Sequence, residues 1–186
     1  MTLRSDAHAV LSRWSAPDPE QERLREVYLA HVDAHSDAMQ RACHPDHLTA
    51  SVLIVSADGE HVLLTLHTRL KRWLQTGGHC EDDDVSLVEA AAREGREESG
   101  IADIVLDPEP VLLSLHEVPC GPLRPAHHLD VQFVGVAPAG AQPVISDESD
   151  DLAWFAVDEL PDGTDQSVRD LIAAATTRLR GIPSPS

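Results

Sequence analysis

Apolar and polar positions along the chain follow two regimes that change over near Pro45. Before it, Leu11 and Trp14 mark a first short helical segment, which Pro17 and Pro19 interrupt. Leu24, Val27, Tyr28, His31 and Val32 then recur at helical spacing and predict an amphipathic helix running towards Ala42. From His47 the period shortens to two. Residues 47–56 and 61–68 predict a hairpin about Asp58-Gly59, and 111–118, 127–136 and 152–157 predict further strands. A last amphipathic helix is expected over 165–179, with Val168, Leu171, Ile172 and Leu179 inward. The plan is α/β, a mixed sheet between helical layers. Residues 1–45 form an N-terminal helical extension to a domain spanning 46–186. Three roles are open to the extension: covering a sheet face, shaping a substrate pocket, or joining two copies as a homodimer.

The stretch from Gly77 to Ile101 stands apart from this alternation. Gly77 and Gly78 predict a sharp turn and a backbone that approaches a ligand closely. After an acidic loop, Ser86-x-x-Glu89 reads as a capping box, with the hydroxyl serving a first-turn amide and Glu89 reaching back. Val88, Ala91 and Ala92 supply an apolar stripe, and Gly100 with Ile101 supplies a left-handed stop. On this helix Glu94, Glu97 and Glu98 stand at i, i+3 and i+4, so their carboxylates project from one face. Like charges so placed repel, and the helix gains nothing from them unless a multivalent cation sits among them. Crowded oxygen ligands suit Mg2+ or Mn2+. Arg93 can reach Glu97 one turn on, or the acidic loop. A merely solvated acidic helix leaves three glutamates on one face beside a double glycine unexplained.

These residues resemble the signature of the Nudix hydrolases: Gly, five residues, Glu, seven residues, Arg-Glu, aliphatic, any, Glu-Glu, any, Gly, aliphatic. The core Arg93-Glu94-x-x-Glu97-Glu98-x-Gly100 is intact. The loop from Gly78 carries one extra residue, Asp83-Asp84 replaces the usual Gly-Glu, and Gly95 stands where an aliphatic residue is normal. A weaker likeness extends from about His47 to Leu160. The resemblance implies an α/β/α sandwich and a metal-dependent pyrophosphohydrolase that cleaves a nucleoside diphosphate linked to another moiety. It implies that Glu94, Glu97 and Glu98, with the Gly77 carbonyl, hold Mg2+ or Mn2+. Glu98 and Glu148 are then the candidate bases, and Gly78, Glu81, Arg93 and Gly100 shape the motif. A second reading keeps the fold but not the chemistry: an inactive nucleotide-binding sensor or regulator. A regulator should shed the glutamates, whose repulsion is costly without catalysis. A third is a diphosphate isomerase, because His47-Leu-Thr-Ala-Ser and Gly78-His79 look like segments of isopentenyl-diphosphate isomerase. That enzyme's catalytic cysteine corresponds to Gly77 here, and its degraded glutamate core is complete here, which disfavours isomerisation.

Strand parity places Leu129, Val131 and Phe133 on one face and His128, Asp130 and Gln132 on the other. His47 shares a face with Thr49, His67 with Thr65 and His116 with Ser114, while His79 lies in the glycine loop. Solvated or hydrogen-bonded imidazoles are the plain reading. The sharper one is a second site at His47, His79 and His128 that takes a transition metal or the substrate. Arg69, Lys71 and Arg72 precede Trp73; they either meet a substrate phosphate or form a solvated hairpin end. Trp73 either stacks on a base or packs in the core.

Composition narrows the partners. A net charge of −18 argues against nucleic-acid polymers, which need a basic surface. A small anionic diphosphate remains compatible, because bound cations invert the local field. Cys43, Cys80 and Cys120 form no CxxC pair. With no apolar run of membrane-spanning length and no charged-then-apolar leader, no membrane partner and a cytoplasmic location are expected.

Overall fold

Every residue of strand β1 (His47–Val55) is buried, so the sheet is covered on both faces where this strand crosses it. The computed structural model describes residues 2–118, 122–146 and 149–181. Helices α1 (Leu3–Arg13) and α2 (Pro19–Ala34) precede β1. After it come β2 (His61–His67), β3 (Trp73–Leu74), β4 (Thr76–His79), α3 (Leu87–Ser99), β5 (Val105–Leu106) and β6 (Leu112–Glu117). β7 (His127–Val136), β8 (Ser149–Ala156) and α4 (Gln166–Arg180) complete the chain.

β1 and β7 run parallel from His47↔His128 to Val55↔Val136, while the other pairings are antiparallel, so the sheet is mixed. On its other side β1 changes partner along its length. Thr49 to Val52 pair with β4, whereas Ile54 and Val55 pair with β2. Alternate residues of β1 feed two cores. Leu48, Ala50, Val52 and Ile54 join Leu129, Val131 and Phe133 beneath α3 and the N-terminal helices. Leu53 and Val55 join Val62, Leu64 and Val134 beneath Val168, Leu171 and Ile172 of α4. The apolar row under α4 stops at Leu53 and continues along the same face as Ser51, Thr49 and His47, all buried.

The N-terminal extension covers a sheet face. Leu11, Trp14, Leu24, Tyr28 and Val32 belong to the same core as α3. Trp14 Nε1 donates to the Pro110 carbonyl at 2.7 Å. Gln21 acts on β6 as a peptide group would: its Nε2 donates to the Leu113 carbonyl at 3.0 Å and its Oε1 accepts the Leu113 amide at 2.7 Å. Among the described residues no helix is long and apolar enough to cross a membrane.

Four sequence expectations need correction. The second helix ends at Ala34 rather than near Ala42; the break between the two helices falls at Pro17 and Pro19 as expected, with Pro19 opening the second behind the Asp18 cap. The chain then turns so that the Ala38 carbonyl receives the Leu48 amide at 2.9 Å. Gly77 and Gly78 lie in a strand rather than a turn. The buried stripe of α3 runs Leu87, Ala91, Gly95 and Ser99, with Ala90 beside it; Val88 and Ala92 are half-buried. Finally, β8 starts at Ser149, ahead of the expected 152, where Ser149 pairs with His67 past a register shift that leaves Asp150 unpaired in the ladder.

Candidate active site and a histidine cluster

The strand β4 exists because two glycines let it press against β1 and α3. A Cβ on Gly77 would lie 2.3 Å from Ser51 Cβ. A Cβ on Gly78 would lie 2.7 Å from Glu94 Oε1. Gly95 has the same origin: its Cβ would lie 2.7 Å from Val52 Cγ1, so the helix sits too close to β1 for the aliphatic side chain expected there. Ser86 Oγ accepts the Glu89 amide at 3.3 Å, the hydroxyl half of the expected box. A second cap comes from the extension. Asp6 of α1, itself buried, accepts the Leu87 amide at 2.9 Å. Gly100 ends the helix at φ 68°, in the left-handed region.

Arg93 knits this assembly. Its Nε and Nη2 donate to Asp84 at 3.1 and 3.0 Å, and Nη2 also donates to the His79 carbonyl at 2.9 Å. Its Nη1 donates to Glu94 and Glu97, both at 3.0 Å, and lies 3.8 Å from Glu81. One guanidinium nitrogen therefore gathers two of the three carboxylates at Glu94, Glu97 and Glu98. The third, Glu98, accepts the Gly77 amide at 3.1 Å. Glu94 is mostly covered, at 13 % exposure, while Glu97 is open to solvent at 58 %. The expected outside carboxylate, Glu148, lies outside the described residues.

The hairpin cations are partly engaged. Lys71 Nζ lies 2.5 Å from Asp150, and Arg72 lies 3.5 Å from Asp165. Arg69 is exposed with no carboxylate partner among the described residues. Trp73 packs edge-on against Phe155, with centroids 4.8 Å apart.

Register brings together histidines that parity alone left on separate strands. His47 faces His128 across the parallel pair, and His79 faces Thr49. The rings of His47, His79 and His128 form a triangle with centroids 4.9 to 5.1 Å apart. One nitrogen of each lies within 4.8 Å of one from each of the others. The exposed His116 stands 5.6 Å from His128. All three Nε2 atoms are buried without a hydrogen-bond partner among the described residues. Burial pushes His79 down to about 4 and His128 to about 3, and lowers His47; neighbouring imidazoles and Arg41 add to the shift in His79 and His128.

Beside the triangle lies a polar network that sequence reasoning did not assemble. Asp130 is buried and accepts from Thr49 at 3.0 Å, Ser51 at 2.7 Å and Gln132 at 3.1 Å. Parity had put Asp130, Gln132 and Thr49 on polar faces, but only the β1–β7 register makes them neighbours. Asp6 carried no signal at all, since its partner is 81 residues away.

A family model described as the NUDIX domain matches residues 45–175. Among solved structures, a NUDIX-family hydrolase from Clostridium perfringens superposes with a TM-score of 0.61 at 24 % identity, covering 72 % of this chain and 97 % of that one. An Ap4A hydrolase from C. elegans, solved as a binary complex, gives 0.59 at 16 % identity, over 73 % and 98 %. The NUDIX domain of Shewanella oneidensis NrtR, complexed with ADP ribose, gives 0.58 at 18 % identity, over 75 % and 92 %. At these identities the superpositions show the fold. A search of curated proteins returned no match.

Proposed function

The chain belongs to the Nudix family of hydrolases, which act on phosphoanhydride bonds, and from that premise we propose that it is a metal-dependent pyrophosphohydrolase. Its substrate on this reading is a nucleoside diphosphate linked to another moiety, or a related small diphosphate. The observation that carries the reading is the seating of Glu94 and Glu98 against β4, with Glu97 held beside them by Arg93. Glu81, Asp84, Glu94 and Glu97 crowd around the single guanidinium of Arg93, so negative charge is in excess there. Gly78 leaves room for the Glu94 carboxylate and nothing more.

This donor set fits a hard divalent ion: carboxylate oxygens, one covered and one solvated, suit Mg2+ or Mn2+ that retains waters. Glu94, Glu97 and Glu98 would hold it, with the Gly77 carbonyl as a further oxygen. Bound there, such an ion neutralises diphosphate charge and lowers the pKa of an attached water. The protein's own part is positioning. Arg93 holds Glu94 and Glu97 in place, and the Gly77 amide holds Glu98. Glu98, or Glu148, which precedes β8 in the sequence, takes the proton of the attacking water. Arg69 is the hairpin cation left to meet a phosphate. Residues 46–186 form the catalytic domain on this reading, and 1–45 brace its helix.

A screen over nucleoside triphosphates, nucleotide sugars, dinucleotides and prenyl diphosphates, with Mg2+ and with Mn2+, that reads the phosphomonoester or pyrophosphate products through a coupling phosphatase or pyrophosphatase, tests the proposal. Turnover by the wild type that Glu97→Gln or Glu98→Gln abolishes supports it. No turnover, together with thermal stabilisation by a single ligand, marks a sensor instead.

A further inference from the structure

We propose that His47, His79 and His128 form a transition-metal site, distinct from the glutamates, that takes a borderline divalent ion such as Zn2+ through one nitrogen of each ring. The proposal does not rest on the hydrolase reading, since it concerns other side chains and another class of ion.

Three facts converge on it. The three rings come from three different strands, yet a nitrogen of each lies within 4.8 Å of the others. The Nε2 atoms are all buried and have no hydrogen-bond partner among the described residues. A buried polar atom left unmet is costly, so three of them in one cluster of rings call for an occupant.

The tautomer of His47 says which kind. Its Nδ1 lies 3.3 Å from the Cys43 carbonyl, which can only accept, so Nδ1 carries the proton. Nε2 of this fully buried ring is then a bare lone pair. A lone pair repels a phosphate or carboxylate oxygen and attracts a cation. A backbone carbonyl behind a ligating imidazole is also the usual orienting partner of a metal-bound histidine. Three neutral imidazoles with no carboxylate suit zinc, cobalt or nickel, whereas Mg2+ prefers the oxygens around Glu94. Three protein ligands leave a fourth position for water or another donor, the arrangement of an open rather than a closed zinc site.

The test uses full-length, untagged, metal-stripped protein titrated with Co2+ and followed by visible absorption. The wild type should bind one equivalent with the strong bands of four-coordinate cobalt, and Zn2+ should displace it. His79→Ala and His128→Ala should each weaken Co2+ binding by at least ~100-fold, the upper end of what an outer-shell change alone costs. Glu97→Gln should leave it unchanged. If a histidine substitution unfolds the chain, ring nitrogen-15 spectra of the wild type decide, because Zn2+ then moves three histidine signals. Failure to bind Co2+, equal binding in the histidine variants, unmoved ring signals, or binding of inorganic phosphate in place of cobalt would each overturn the proposal.

Discussion

The guanidinium of Arg93 donates to the His79 carbonyl at 2.9 Å, so the helix bearing the glutamates is tied to the strand bearing a histidine of the cluster. The same side chain makes two bonds to Asp84, whose carboxylate is only 7 % exposed. Arg93→Ala strands that carboxylate and should destabilise the fold by about 3–5 kcal/mol in urea denaturation. Arg93→Lys keeps the charge but loses the planar fork. It should fold, and by misplacing Glu94 and Glu97 it should lower kcat by about 10²-fold.

Gly95→Ala tests how closely α3 rides on β1. On an exposed helix this change stabilises by about 1 kcal/mol through propensity. Here the new methyl would meet Val52 Cγ1 at 2.7 Å, on a strand packed from both faces. Overpacking of that kind costs about 1–3 kcal/mol, so the net effect should be destabilising, read as a lower urea midpoint.

Asp6→Ala tests the bond between the extension and the site. It removes the carboxylate that caps Leu87, and loss of such a cap costs about 0.5–2 kcal/mol. Amide exchange at Leu87 should speed up by more than exchange in β7, which does not use this cap.

These relationships mark how far the sequence could be read. The strand at His127–Val136 and the glutamate face were legible because both depend only on local spacing. β4 was not legible, because Thr-Gly-Gly-His has little strand propensity and pairs only where glycine lets Ser51 come close. The end of α2 was hidden because Ala38, Met39 and Cys43 continue an apolar spacing, yet they are buried from a turn. The histidines could be placed on faces but not beside one another, since register between strands distant in sequence leaves no local trace.

The metal-free protein should lose stability in acid through the histidines. His79 and His128 are held at about 4 and about 3 in the fold against an ordinary 6.5. Between those values and 6.5 the unfolded chain binds more protons, so stability is full above about 6.5 and falls as the pH drops towards 4 and 3. A His79→Gln/His128→Gln variant should show a shallower fall over that window in chemical denaturation, and an equally steep fall would contradict the burial.

The central claim is that Glu94, Glu97 and Glu98 hold the ions through which a diphosphate is bound and cleaved. Electron paramagnetic resonance of Mn2+, titrated into protein saturated with a non-hydrolysable diphosphate analogue, reads this most directly. The wild type should bind Mn2+ at least ~10-fold more tightly than a folded Glu97→Gln/Glu98→Gln variant, a difference of about 1.4 kcal/mol or more. Equal Mn2+ affinity in the two proteins would contradict it.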